Sequence, residues 1–522
     1  MVKKSVNLHS TKKDARDAVP STEDRPSVQA KMGSTQKKLI IVIIVGIIAI
    51  IVGAVIGAIW APIFNSMMHE QLELTTTSES YKMWEKTPIP MYLQLYLFNW
   101  TNPHDFNSAV KTKPHFVQMG PYTFREIVYK VNEQWNENGT ITFQQKRSFH
   151  FEESLSNGSL SDNVTNLNVI VSTFAYTIRH QKPFVRSVLD KVMTSLGERL
   201  VITKTVRELL FDGYDDKLLR IAAKLNMTGI PMKKFGWFYA RNESETYDGT
   251  FNMLTGKDNV FSLGMIKEWN YSNQSKSYDG SCGAITGTTG DLWPPLKNNE
   301  SVSIFASDLC SSLSLTYEND TEYLGLTGKR FVSDKYMFDN GTNVPSLSCY
   351  CHNTECVPNG VRNVSLCKFG APAFVSLPHF YLADESYKNA VSGLSPDTDK
   401  YEFAIVVEPS TGIPMEIQAQ LQINLLVQPD SAMSLFKNIP RTFVPMLWFT
   451  QEAKLTEELA EKVKFLLIIP MLGQVTFFGI AGIGLLLVFI GLTICINRRC
   501  RNKESQRLLS NKGSNNTINS DG

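Results

Sequence analysis

The sequence predicts an α+β membrane protein in which one large β-rich domain is carried between two apolar helices. Three observations lead there. Two uncharged apolar runs, 39–60 and 465–496, lie near the ends of the 522-residue chain. Between them, short stretches alternate apolar and polar residues and are separated by Gly, Pro, Asn and Asp, the period-2 mark of strands. Helical periodicity is confined mainly to 166–225.

The first run has 22 residues, about 33 Å as a helix, against a hydrocarbon core of about 30 Å. It follows a tail of 38 residues and ends in Trp60-Ala61-Pro62, unlike the small-residue site of a cleavable signal, so it reads as an anchor. The second run carries Pro470 and Gln474 near its start, which places the spanning part at about 475–495. Lys37 and Lys38 precede the first run, and Arg498, Arg499, Arg501 and Lys503 follow the second. The positive-inside rule therefore puts the tails 1–38 and 497–522 in the cytoplasm. The net charge of +2 conceals this asymmetry: the tails carry +5 and +4, leaving −7 for the remainder. Basic ends around an acidic middle exclude a nucleic-acid binder and an ordinary soluble cytosolic enzyme. Gly53 and Gly57, a G-x-x-x-G within the first run, would let a second helix approach closely.

The intervening domain, 61–464, is then lumenal or extracellular. Its acceptor motifs agree: Asn99, Asn138, Asn157, Asn163, Asn226, Asn242, Asn270, Asn273, Asn299, Asn319, Asn340 and Asn363 all begin N-x-S/T. None falls in 166–225 or 364–464, so those stretches are expected to be buried or to be surfaces kept bare. Six cysteines, Cys282, Cys310, Cys349, Cys351, Cys356 and Cys367, lie within 282–367. In an oxidising compartment they read as three disulfides, with spacing alone leaving the pairing open. Cys349, Cys351, His352 and Cys356 have the look of a metal site, but lumenal thiols oxidise, so neither metal nor cofactor is expected. Cys495 and Cys500, at the inner membrane face, are candidates for palmitoylation.

Residues 92–100, 401–408 and 421–427 read as strands. Within the helical island, Phe184, Val185, Val188, Leu189, Val192, Met193 and Leu196 fall on one face, with Arg186, Asp190 and Lys191 opposite. A second helical stretch, Thr205 to Leu225, is broken near Asp212-Gly213. The apolar stripe is expected either to pack on the β core or to admit lipid. Arg179, His180, Lys182, Arg186 and Lys191 form either an anion-binding face or a solvated one. The candidate ligand-binding set is thus Arg179, Lys182, Phe184, Arg186, Val188, Lys191 and Val192. The sequence lacks H-E-x-x-H, G-x-S-x-G and a P-loop, and Gly287-Thr288-Thr289-Gly290-Asp291 reads as a turn, so no enzyme is expected.

Several blocks, taken in order, resemble the class B scavenger receptor family: SYKMWEKTPIPMYLQLYLFNWTNP (80–103), GPYTFRE (120–126), TVRELLFDGY (205–214), LTGKD with IKEWN (254–270), CKFGAPAFVSLPHFYLAD (367–384), EPSTGIPMEIQAQLQINLLV (408–427) and VPMLWF (444–449). The resemblance implies an antiparallel β-barrel-like ectodomain with an internal hydrophobic tunnel and an apical helical bundle. It also implies capture of fatty acids, sterols, phospholipids or lipoproteins at that apex, and disulfides Cys282–Cys349, Cys310–Cys367 and Cys351–Cys356. The family's apical lysine has no counterpart near Ser195, Gly197 and Arg199, and its lysosomal member's pH-sensing histidine would fall near Pro183.

Glu504, Leu508 and Leu509 fit an acidic dileucine signal for a clathrin adaptor. The expected locations are therefore the endosomal and lysosomal membrane and the plasma membrane. The leading reading is a scavenger receptor that moves lipid, with a second copy of the chain, in a homo-oligomer, among its candidate partners. The alternatives are a sorting receptor for a lysosomal hydrolase and, more remotely, a two-span ligand-gated channel. Against the channel, the second span offers little polarity beyond Thr476 and Thr493.

Overall fold

The computed structural model describes residues 34–107, 112–224, 233–297, 301–351 and 355–515. Asn226, Asn299, His352 and residues 1–33 of the N-terminal tail lie outside the described residues. The chain divides into two units, one formed by the terminal segments Met1–Ala61 and Met471–Gly522, the other by Pro62–Pro470.

In the first unit, α1 (Ser34–Leu72) pairs with the C-terminal helix Glu457–Asn515. Both are long and apolar enough to cross a membrane. Each runs well past its apolar segment, with Pro62 and Pro470 inside, because apolarity marks what a bilayer can accept rather than where helical hydrogen bonding stops. Glycines bring the two helices together. A Cβ at Gly53 would stand 2.5 Å from the Phe477 carbonyl oxygen, and one at Gly484 would stand 2.6 Å from that of Gly46. The G-x-x-x-G of the first run thus packs against the chain's own second helix, where missing side chains permit close backbone approach.

The second unit is built on β1 (Met91–Trp100), β2 (Phe116–Asn136), β3 (Thr140–Phe151), β4 (Asn163–Leu167), β5 (Val201–Thr205), β6 (Thr250–Leu254), β7 (Ile266–Trp269), β8 (Val302–Ala306), β9 (Ser311–Tyr323), β10 (Leu326–Val332), β11 (Val361–Asn363), β12 (Ala373–Ser376), β13 (Ala404–Val407), β14 (Pro414–Val427) and β15 (Thr442–Lys454). A 13-stranded antiparallel sheet runs β7-β6-β3-β2-β1-β15-β14-β13-β10-β9-β8, with β12 added to β14 and β11 to β12. Gly287 and Thr288 bridge its two ends. Ile266 on β7 donates its N–H to the Gly287 carbonyl at 2.8 Å, and Phe305 on β8 donates to that of Thr288 at 2.9 Å. The segment read as a turn therefore nearly closes the sheet into a barrel, satisfying backbone groups that an open edge would leave unpaired. At Gly287, φ is +87° and a Cβ would lie 2.2 Å from the Ser303 carbonyl oxygen, so this seam requires glycine.

Beside α2 (Glu79–Glu85), three further helices are needed to place the site. The first, α3 (Val169–Ile178), is capped by Asn168, whose side chain accepts from the Ile170 and Val171 N–H groups, and it is buried on nearly every side. Next, α4 (Pro183–Leu196) starts on a proline and stops at Gly197 with φ +78°. The expected second helical stretch is shorter than its pattern: β5 and a π-helical turn, Glu208–Asp212, precede Gly213, and only α5 (Lys217–Lys224) is α-helical.

Candidate functional site

Strand β14 shows how this sequence builds an interior. From Ile417 to Leu425 apolar and polar residues alternate without exception. On one face, Ile417, Ala419 and Leu421 line a cavity of about 260 Å³, and Leu421, Ile423 and Leu425 line a second of about 730 Å³. At about 3.3 Å per residue this apolar face extends roughly 26 Å. The opposite face is buried too. Gln422 accepts the His379 N–H at 2.7 Å, and Asn424 donates to the Ser376 hydroxyl at 3.0 Å.

The larger cavity is walled by α3 (Val169, Ile170, Thr173, Phe174), by α5 (Leu218, Leu219), by the aromatic segment Phe235 to Phe238, and by Phe369. Phe369 is 51% exposed. The smaller is walled by Leu72, Met83, Trp84, Ile89 and Met91 among others. Both are apolar enough to hold hydrocarbon.

Seven residues line both cavities: Arg241, Ser307, Asp308, Leu309, Leu421, Phe449 and Gln451. This partition belongs to a buried ionic network. Arg147 bonds Glu126 at 2.5 Å and Asp248 at 2.7 Å, and Arg241 bonds Asp248 at 3.0 Å and Asp308 at 2.7 Å. Lys368 completes it on Asp308 at 2.9 Å. The Gln451 amide donates to Glu126 at 2.6 Å, and the Ser307 hydroxyl to Asp248 at 3.1 Å. Burial works to raise the Asp308 carboxyl, yet Arg241 and Lys368 hold it well below the usual carboxylate range. Asp248 is likewise lowered, burial being outweighed by Arg241 and Arg147. Asp248 and Asp308 are thus held ionised against Arg147, Arg241 and Lys368. A smaller pair, Lys130 with Asp291, sits nearby under the Trp84 ring.

The candidate ligand-binding set divides. The stripe expected on one face of α4 is split: Met193 is buried and Leu189 and Leu196 pack on the core, whereas Phe184, Val185, Val188 and Val192 are exposed. The reason is width. Seven apolar residues cover more of a helix than one packing contact buries. The basic face also divides. Arg186 pairs with Asp430 at 2.5 Å, and the Arg179 guanidinium lies 3.5 Å over the Tyr176 ring, leaving Lys182, Lys191 and His180 exposed. Asp190 accepts from the Ser434 N–H and hydroxyl, both at 2.9 Å, so α4 is tethered on its polar side.

Disulfides join Cys282 to Cys349, Cys310 to Cys367 and Cys351 to Cys356. The second of these borders the larger cavity beside Asp308 and Lys368. Among the described residues, no group of three or more His, Cys, Asp or Glu is placed to hold a metal. Of the acceptor asparagines, Asn138, Asn157, Asn163, Asn270, Asn273 and Asn319 are exposed, and Asn99, Asn242 and Asn340 are half-buried. Asn363 corrects the expectation. It is 4% exposed and its side chain accepts from the Ser365 N–H at 2.9 Å, so a glycan there would have to open the core. In the C-terminal helix, Glu504, Leu508 and Leu509 are exposed.

Sequence reasoning missed the partition. A signal was present: Glu126 and Gln451 occupy slots on β2 and β15 whose i±2 neighbours Phe124, Val128, Phe449 and Ala453 are apolar, whereas Arg147 on β3 stands between Gln145 and Phe149 and gave no such sign.

A family model, the CD36 family, matches residues 44–495. The chain is 35% identical over 436 residues to protein peste of Drosophila melanogaster, covering 83% of this chain and 78% of that one. It is 31% identical to scavenger receptor class B member 1 of Cricetulus griseus, covering 83% and 85%. It is 32% identical to lysosome membrane protein 2 of Rattus norvegicus, covering 77% and 84%. A barrel around two abutting apolar cavities, with matches along most of the sequence, makes this chain a member of the CD36 family, that of the class B scavenger receptors.

Proposed function

We propose that the protein is a lipid scavenger receptor and transporter. It takes fatty acids, sterols or phospholipids from lipoproteins or other anionic ligands at α4 and its neighbours, and passes them through the barrel towards the bilayer. One observation carries this reading: the two apolar cavities, ranged along one strand face from the helices to Leu72 at the end of α1. Hydrocarbon leaving water for such walls gains about 0.8 kcal/mol per CH₂, so no covalent chemistry is required and the reading is of a receptor rather than an enzyme. Exposed apolar residues on α4 offer a landing surface, with Lys182 and Lys191 beside them to attract anionic head groups.

Glycans at the exposed acceptor sites, and trafficking through endosome and lysosome by an adaptor engaging Glu504, Leu508 and Leu509, complete the proposal. Purified full-length protein should bind a fluorescent fatty acid saturably, and Ala373→Trp, which fills the larger cavity, should weaken binding at least tenfold, about the loss of two buried methylenes. Unchanged binding by a folded Ala373→Trp variant would reject the conduit as the site.

A further inference from the structure

The two helices of the terminal unit end in charge that nothing balances. Their contact sets the levels. A Cβ at Gly491 of the C-terminal helix would stand 2.6 Å from the Ile43 side chain of α1, and Gly46 lies against Gly484 and Val488. The helices are therefore antiparallel here, and counting outwards from these contacts at about 1.5 Å per residue brings Lys38 and Lys37 level with about 495–497. Arg498 and Arg499 come next on the C-terminal helix, and Arg501 and Lys503 follow within two turns. All six cations are exposed, and none has a carboxylate partner among the described residues. Glu504 is the one acid in the described stretches 34–61 and 471–515. Earlier in the same helix the pattern is different: Lys462 pairs with Glu458 at 2.8 Å and Lys464 with Glu461 at 2.7 Å.

A topology signal does not require such a collar. It asks only that basic residues flank the spans, and charges spread along the tails would serve while repelling one another less. Here the glycine contact gathers cations from both ends of the chain at one depth, beside the apolar segments, where an anion is needed to offset their repulsion. Three of them are arginines, whose planar forks take phosphate oxygens two at a time. We propose that this collar binds the head group of a polyphosphorylated inositol lipid in the leaflet it faces. Phosphate monoesters on one ring concentrate the charge that both helices seek, whereas a serine head group pairs its anions with an ammonium. Lys503 is followed directly by Glu504, the first residue of the proposed sorting signal, so a lipid held here keeps that signal at the surface of a membrane rich in it. The conduit takes no part.

The test offers full-length protein in mixed micelles a phosphatidylinositol bisphosphate and phosphatidylserine at matched total charge, and reads the retained lipid by native mass spectrometry. Micelles have no sides, so the orientation of the termini does not enter. Wild type should retain the bisphosphate about tenfold better, and free inositol trisphosphate should displace it, because the head group is what the arginines engage. Lys38→Gln and Arg499→Gln, on different helices, should each weaken retention about fivefold, the worth of one cation beside an anionic surface. Arg507→Gln removes the same charge from an exposed position about 12 Å further along the helix and should change little. Equal retention of the two lipids, no displacement by the trisphosphate, or a loss from Arg507→Gln as large as that from Arg499→Gln overturns the site in favour of a diffuse basic surface. Saturable fatty-acid binding by the same preparation is indifferent to all of these outcomes, so failure of the collar leaves the conduit standing.

Discussion

The outer face of α4 and the partition between the cavities depart from the usual segregation of residues in opposite senses. On α4, Phe184 is 78% exposed and Val188 44%. At the partition, Glu126 and Asp248 keep only 2% of their side-chain surface exposed. An exposed phenyl ring forgoes a stabilisation it never had, so it can be altered cheaply. A buried carboxylate holds two guanidinium groups in place and cannot be.

The comparison breaks first at Asp248. Replacing it by Leu leaves Arg147 and Arg241 each short of a carboxylate, and should destabilise the protein by about 3–5 kcal/mol, the cost of stripping one partner from a buried pair. Denaturant unfolding of the purified protein measures it, and a loss below about 1 kcal/mol would mean that the network is hydrated rather than buried.

A smaller effect sharpens the contrast through pH. Nδ1 of His379 accepts from the Ser395 N–H at 3.3 Å, so its proton sits on Nε2, 2.7 Å from the Gln118 carbonyl oxygen. Burial lowers its pKa to about 4. The unfolded imidazole protonates near its usual value of about 6.5, so the stability its neutral form contributes is whole above that pH and is lost progressively down to the folded value. By pH 5 the loss is roughly 2 kcal/mol. Asp248, Asp291 and Asp308 are shifted downward. Their contribution is present above the ordinary carboxylate pKa and is lost only as pH falls towards their lowered values, so they add little slope between pH 7 and 5. Melting temperatures recorded across that window should fall for wild type and fall less for His379→Gln. Equal slopes would remove His379 from the account.

The smallest effect on stability belongs to α4. Phe184→Ser should change unfolding by no more than about 0.5 kcal/mol, as exposed positions do. It should nonetheless weaken the binding of lipid particles. A large stability loss would show that Phe184 is covered after all.

Much of this was legible because periodicity reports which face of an element is buried. The alternation of 421–427 gave β14, and the glycines at 53 and 57 marked a helix contact that the structure makes at Gly53 and Gly46. What periodicity does not report is what lies on the other side of a face. The apolar positions of β14 look alike in the sequence whether they meet a packed core or a cavity, and the α4 stripe reads as one face although only Leu189, Met193 and Leu196 are used for packing. The partition was illegible for a further reason. Its charges come from β2, β3 and the segments at 241–248, 308 and 368, with the Gln451 amide from β15, and only closure of the barrel brings them together. Asn363 shows the converse limit, since its motif is local and its burial is not.

The central claim is that lipid travels inside the barrel and does not merely adhere to α4. A photoactivatable sterol, equilibrated with the full-length protein, irradiated and mapped by peptide mass, tests it most directly. The account predicts adducts on residues of both cavities, within 417–425 of β14 and 449–453 of β15. Adducts confined to 184–192 would contradict it.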